Sequence, residues 1–141
     1  DQKVNVEDLK GLRILLVEDN SFNQMVAIDT LNDLLSDLHI DVAENGHEAI
    51  EKLTASDYDV ILMDIQMPEM DGFEATRYIR HEMPSPKHMT QIMAMTANVT
   101  RDEVDNCFAC GMNEYISKPF DPQDLLNKLW KLTKGKEQIS A

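Results

Sequence analysis

Cysteine is almost missing from this chain: the 141 residues contain two, Cys107 and Cys110. Three positions apart, they cannot tie distant parts of a fold together, so disulfides are excluded as the main source of stability and a reducing compartment is expected. Glycine is nearly as scarce. The five glycines, at positions 11, 46, 72, 111 and 135, form neither a G-x-G-x-x-G nor a P-loop, which argues against a nucleotide-binding domain of either kind. Positive charge is also in short supply. Thirteen Lys and Arg face 26 Asp and Glu, and the net charge of -13 repels phosphate backbones and anionic lipid head groups. Nucleic acid and direct membrane contact are therefore not expected among the partners. No apolar run approaches the ~18 residues of a membrane span, and the opening DQKVNVEDLKG lacks the basic and apolar parts of a signal peptide. These absences predict a soluble, cytoplasmic protein.

What is present is enough for one domain. Apolar residues make up 43% of the chain, and short apolar runs alternate with longer stretches of helical period. That alternation predicts an α/β fold in which helices cover both faces of a parallel sheet. The predicted strands are Arg13–Val17, Ile40–Ala43, Asp59–Met63, Gln91–Met95 and Glu114–Ser117. Met25, Ile28, Leu31, Leu35 and Leu38 mark one amphipathic helix, and Leu125, Leu129 and Leu132 another. Shorter helices fit Glu48–Ala55, Phe73–Met83 and Arg101–Cys110. Start signals are Asn20 or Ser21, Thr100 with Glu103 as a capping box, and Asp121 before Pro122; Gly111 is a stop. Residues 1–11 read as a linker, 12–134 as the domain and 135–141 as a tail, with no internal repeat or second domain.

In a doubly wound sheet, chemistry collects at the carboxyl ends of the strands. Those ends carry Glu18 and Asp19, Asp64, Thr96 and Lys118. Three carboxylates at one edge repel one another and must take up a proton or bind a cation, and a hard divalent ion such as Mg²⁺ suits them. Lys118 has no place among Mg²⁺ ligands, but it can neutralise an anionic partner such as a phosphoryl group, to which Thr96 can donate a hydrogen bond. Metal and ammonium together describe a phosphoryl-transfer site. Asp64, ending the buried run Tyr58-Asp59-Val60-Ile61-Leu62-Met63, is the candidate acceptor, and a carboxylate nucleophile there would give an aspartyl phosphate.

Four strings, VEDN at 17–20, MDIQMPEMDG at 63–72, MTAN at 95–98 and YISKPF at 115–120, occur in the order and spacing of response-regulator receiver domains, and over roughly 11–134 the chain resembles that family. The resemblance implies a flavodoxin-like five-stranded parallel sheet of order 2-1-3-4-5, the handedness and order for which a receiver is a standard example. It implies Asp64 as phosphoacceptor, with Mg²⁺ held by Asp19, by Glu18 through water, by Asp64 and by the Gln66 carbonyl. Thr96 and Lys118 would grip the phosphoryl oxygens, and Thr96 with Tyr115 would form a switch acting on the surface of the last strands and helices. A cis Lys118–Pro119 bond is implied, and Gln66 and Asn98 fall where relatives tune phosphoaspartate hydrolysis. The donor would be a phosphohistidine, on a histidine kinase or a histidine phosphotransfer domain. VEDNSFNQ and LMDIQMPEMDG are more similar to receivers of hybrid sensor histidine kinases than to those fused to DNA-binding domains, which points to a piece of a larger kinase, one that could be membrane-anchored, although a stand-alone receiver could carry the same strings.

Two other readings compete. A Mg²⁺-dependent aspartyl-phosphate phosphatase of the haloacid-dehalogenase kind wants a second aspartate two residues after the nucleophile, and position 66 is Gln. A pseudo-receiver would bind proteins without being phosphorylated. Cys107-Phe108-Ala109-Cys110 falls at a helix end, where the dipole disfavours thiolate, so it reads as packing. Met63, Met67, Met70, Met93 and Met95 read as core and turn residues, and His39, His47, His81 and His88 receive no role. Apolar helix faces look alike whether they meet the sheet or a second copy, so a homodimer stays open.

Overall fold

In the computed structural model, which describes residues 4–135, the two most apolar strands lie side by side in the interior of the sheet. Strand β1 is Arg13–Val17 and β3 is Val60–Asp64; all five residues of β3 are buried, as expected of a strand covered on both faces. With β2 (His39–Ala43), β4 (Gln91–Thr96) and β5 (Glu114–Ser117) they form one parallel sheet of order β2-β1-β3-β4-β5. The helices are α1 (Ser21–Leu34), α2 (Gly46–Ala55), α3 (Gly72–Glu82), α4 (Arg101–Cys110) and α5 (Pro122–Trp130).

Successive strand residues point to opposite faces, and this divides the core in two. On one side Ile14, Leu16, Leu62, Met93, Met95 and Ile116 pack under Leu31 of α1 and Leu125 and Leu129 of α5. On the other, Leu15, Val17, Ile61, Met63, Ile92 and Ala94 pack under Leu53, Ile79 and Cys107 of α2, α3 and α4. Each Val, Leu, Ile or Met among them, nearly all at 0% exposure, contributes roughly 1.5–3 kcal/mol relative to an exposed position.

The structure shifts several boundaries. Strand β3 runs one residue further than expected and β4 likewise, so Asp64 and Thr96 are the last residues of their strands rather than the first of the loops. The expected helix stripe from Met25 to Leu38 is broken. Helix α1 ends at Leu34, and Leu35 and Leu38 enter the same core from extended chain, which keeps the apolar spacing going past the helix end. Met25 is 54% exposed, while Ala27 and Leu31 meet the sheet. Of the two start signals, Asn20 is the cap: its Oδ1 accepts the Asn23 N–H at 3.0 Å. Gly111 stops α4 with φ +111°, a left-handed conformation that favours glycine.

Within the stretch expected as a linker, Val6–Leu9 forms a 3₁₀ turn capped by Asn5, and Leu9 is wholly buried beside Leu125 and Leu129. A lone leucine in a polar stretch leaves no periodicity to read. At the other end Lys131–Gly135 is a turn of π-helix with Leu132 buried; the rest of the expected tail lies outside the described residues.

Candidate functional site

Register and pleat assemble the site before any loop is considered. Val17 lies opposite Met63, so Glu18, one step on, falls beside Asp64. By strand parity Glu18 follows Leu16, Asp64 follows Leu62 and Lys118 follows Ile116, so all three point to the α1/α5 side. Thr96 follows Ala94 and points to the side of α4. Together with Asp19, Asn20, Gln66, Ala97 and Asn98 these residues line a cleft of about 270 Å³ at the carboxyl end of the sheet.

Asp64 is 4% exposed and Glu18 2%, whereas Asp19 is open to solvent. One oxygen from each of the three carboxylates lies within 4.8 Å of the others. Lys118 Nζ reaches Glu18 Oε1 at 3.0 Å and Asp64 Oδ2 at 3.3 Å. The Asn20 N–H donates to Glu18 Oε2 at 3.2 Å, and the Gln66 N–H donates to Asp64 Oδ1 at 3.1 Å. Burial pushes the Glu18 carboxyl up, and the Lys118 ammonium with the Asn20 N–H more than reverses it, leaving Glu18 below the usual range. Asp64 goes the other way. Burial raises it, the Gln66 N–H lowers it, the Glu18 charge raises it again, and it is pushed up to about 6. Burial pulls Lys118 down, but its two carboxylate partners hold it above its ordinary value.

A site with two buried carboxylates, a third at its rim and one ammonium is short of positive charge. The donor set is all oxygen, and it fits a hard divalent cation such as Mg²⁺ better than a softer transition ion. Glu18, Asp19 and Asp64 offer the carboxylates, and Gln66 lines the same cleft.

Local chain geometry fixes this arrangement. A Cβ on Gly72 would fall 2.4 Å from the Asp64 carbonyl oxygen and 2.9 Å from Ile65 Cα, so no other residue lets the α3 start close against the acceptor strand. Lys118–Pro119 is cis, as the resemblance implied. Two residues were not assigned to the site from sequence, Gln24 because it was not singled out and Glu103 because it was read as half of a capping box. Gln24 of α1 donates from Nε2 to the Glu18 carbonyl at 2.7 Å, clamping the acidic loop. Glu103 of α4 accepts the Thr96 hydroxyl at 3.0 Å. That contact also corrects the expected capping box. Thr100 Oγ1 accepts the Glu103 N–H at 3.2 Å, but the return bond is missing because the Thr100 N–H is taken by Asn98 O and the Glu103 carboxylate by Thr96.

The structure does not bring Tyr115 into the cleft. It stands half-buried on β5, its ring edge-on to Phe108 with centroids 6.4 Å apart, while Lys128 Nζ sits 4.3 Å over the ring and donates to the Tyr115 carbonyl at 2.6 Å. Cys107 and Cys110 are buried free thiols; burial raises both, Cys107 to about 11, which fits the packing reading. Among the described residues no helix is long and apolar enough to cross a membrane.

The family profile of the response regulator receiver domain matches residues 14–130. A hybrid signal transduction histidine kinase of Dictyostelium discoideum is 44% identical over 128 residues, covering 84% of this chain and 6% of its own length. The signal transduction histidine-protein kinase BarA of Escherichia coli K12 is 32% identical over 132 residues, covering 94% of this chain and 14% of its own length. The chain thus spans a small part of these relatives. Among solved structures, the receiver domain of a sensor histidine kinase from Pseudomonas aeruginosa, with a magnesium ion coordinated in its active-site cleft, superposes with a TM-score of 0.76 at 36% identity, over 86% of this chain and 97% of that one. A receiver domain of Saccharomyces cerevisiae, crystallised with a histidine phosphotransfer signalling protein, gives 0.76 at 26% identity, over 89% and 90%.

Proposed function

The chain belongs to the response regulator receiver domain family of two-component signalling, and from that premise we propose that Asp64 accepts a phosphoryl group from a phosphohistidine on a partner protein. One observation carries the reading: a buried carboxylate at the end of the central strand, open to a cleft, with an ammonium 3.3 Å away and two further carboxylates beside it. An Asp64 oxygen attacks phosphorus, the phosphorus–nitrogen bond breaks, and its electron pair stays on the imidazole, leaving an acyl phosphate. Strand β3 aims that oxygen and Gly72 keeps the following turn tight against it. Lys118 neutralises the incoming oxygens, and Thr96, one strand over, supplies a hydroxyl donor to the same group. Mg²⁺, held by Glu18, Asp19, Asp64 and the Gln66 carbonyl, would add charge that spreads the negative load of the transferring group. Engagement of Thr96 would let Tyr115 change its packing and so alter the face formed by α4, β5 and α5.

The donor has an approach. Beside the acidic cleft, Phe22, Val26, Ala27, Met95, Pro119 and Phe120 line an apolar groove of about 360 Å³ that borders Glu18 and Lys118. Phe22 is 65% exposed, and an apolar helix face of a histidine phosphotransfer domain is the kind of partner such a groove fits. A receiver module within a longer hybrid kinase is the setting we propose for the chain, given how little of its relatives it spans.

Intact mass after incubation with acetyl phosphate and Mg²⁺ tests the acceptor. The expected result is one added phosphoryl group, lost when EDTA replaces the metal; no added mass where Mg²⁺ demonstrably binds would favour a pseudo-receiver. The groove is tested separately by Val26→Glu. Transfer from a phosphorylated histidine phosphotransfer domain is expected to fall at least about tenfold, the order of burying one unpaired charge at an interface, while acetyl phosphate works as before. Equal transfer in the variant would remove the groove from the docking route.

A further inference from the structure

The Thr96 hydroxyl has one proton, and it is already in use. Thr96 is 2% exposed, and its Oγ1 donates to Glu103 Oε2 at 3.0 Å while accepting the Asn98 N–H at 3.1 Å. Its single donor proton is thus spent within the chain, and only acceptor capacity is left over. We propose that Glu103 is a positioning residue that sequesters the Thr96 hydroxyl, so that phosphoryl binding at Asp64 must break a Thr96–Glu103 hydrogen bond and thereby release the first turn of α4.

This deepens the reading of Asp64 as acceptor and rests on it. For Thr96 to donate to a phosphoryl oxygen it must leave Glu103, a charge-assisted bond in a partly buried place, and such bonds are stronger than neutral ones. The carboxylate left behind then faces an anionic group held by the same threonine, so attraction lost and repulsion gained act in the same direction. Glu103 is well placed for this double role. Its own N–H is bound by Thr100 Oγ1 at 3.2 Å, so the residue is fixed in the first turn of α4 while its side chain reaches back seven residues to the end of β4. Its carboxylate does not complete the local capping box, and the cleft beside it is lined by Ile65, Gln66 and Met67 of the acceptor loop. Movement of Thr96 is thus transmitted to α4 by a direct contact.

The test uses beryllofluoride with Mg²⁺ as the phosphoryl stand-in, its affinity measured by calorimetry for the parent chain, Glu103→Ala, Glu103→Gln, Thr96→Ala and the Thr96→Ala/Glu103→Ala double variant, with thermal unfolding confirming that each is folded. Glu103→Ala is expected to bind about tenfold more tightly, the worth of one charged hydrogen bond. Glu103→Gln should gain less, because its amide oxygen still accepts from Thr96. In the Thr96→Ala background the Glu103→Ala gain should shrink to the smaller part that charge repulsion alone supplies. Unchanged or weaker binding by Glu103→Ala, in a protein whose parent chain binds, overturns the proposal and leaves the acceptor reading standing. So does an equal gain with Thr96 absent, which would mean that bare charge and not the hydrogen bond matters. A parent chain that binds no beryllofluoride overturns both.

Discussion

Asp64→Asn will take up no phosphoryl group from acetyl phosphate, and without metal at neutral pH it will be more stable than the parent chain. The first half follows from chemistry: an amide oxygen is not the nucleophile that a carboxylate is, and no other carboxylate stands at that point of the cleft. The second half follows from linkage. Asp64 is pushed up to about 6 from an ordinary value of 3.8, chiefly by burial. A raised carboxyl contributes stability below its unfolded value, where the folded state holds the proton more tightly, and that contribution is lost as pH rises through about 6. At pH 7 the buried charge therefore costs something on the order of 3 kcal/mol, of which the amide is free. Urea unfolding in EDTA at pH 7 and again near pH 4 checks this. The variant's advantage should be large at the first and small at the second, and a constant difference would show that charge is not its source. Saturating Mg²⁺ should narrow the gap at pH 7 from the other side, because it stabilises the chain that keeps all three carboxylates more than the variant that has lost one.

How much of this was legible beforehand depends on whether the physics was local. Strands buried on both faces leave continuous apolar runs, so Arg13–Val17 and the run ending at Asp64 stood out. The residues that gather at the sheet edge, Glu18, Asp19, Asp64, Thr96 and Lys118, could be picked out because each follows such a run and the strand ends of a parallel sheet converge. Their pairing needed register: that Glu18 meets Asp64 depends on Val17 lying opposite Met63, and nothing in a single sequence states it. The order of the strands came only through likeness to the receiver family and agrees with the structure. Glu103 was visible but misassigned, because Thr100 and Glu103 fit a capping box and the alternative partner, Thr96, lies beyond any local rule. Gln24 was hidden for the same reason, a helix side chain bonded to a backbone carbonyl six residues back. Leu9 escaped since an isolated leucine in irregular chain has no period, whereas Leu35 was read as part of the helix stripe and reaches the core from beyond the helix end.

Lys118→Met should be the most damaging single change at the site, and the damage should be reversible by metal. The ammonium lies 3.0 Å from one buried carboxylate and 3.3 Å from another. Methionine keeps most of the stem's bulk, so what is lost is charge. Removing one partner of a buried ion pair typically costs about 3–5 kcal/mol, because the charge left behind is uncompensated. The sign with pH follows from Glu18. Its carboxyl is held below its ordinary 4.5 despite burial, mainly by the Lys118 hydrogen bond, so it supports the fold above that value and ceases to as pH falls through the lowered one. Without Lys118 burial prevails, the carboxyl moves up, and Glu18 joins Asp64 in opposing the fold at neutral pH. The variant should therefore be much less stable than the parent chain at pH 7 without metal and approach it near pH 4, where the carboxyls take up protons instead. Adding Mg²⁺ at pH 7 should raise its unfolding temperature more than the parent's, since no ammonium then competes for the carboxylates. Phosphoryl uptake should nonetheless fall by roughly 10²–10³, the usual loss when a charge that stabilises a transferring group is removed. If the stability difference were the same at both pH values and Mg²⁺ rescued nothing, Lys118 would be acting through packing, and the electrostatic account of this cleft would have to be abandoned.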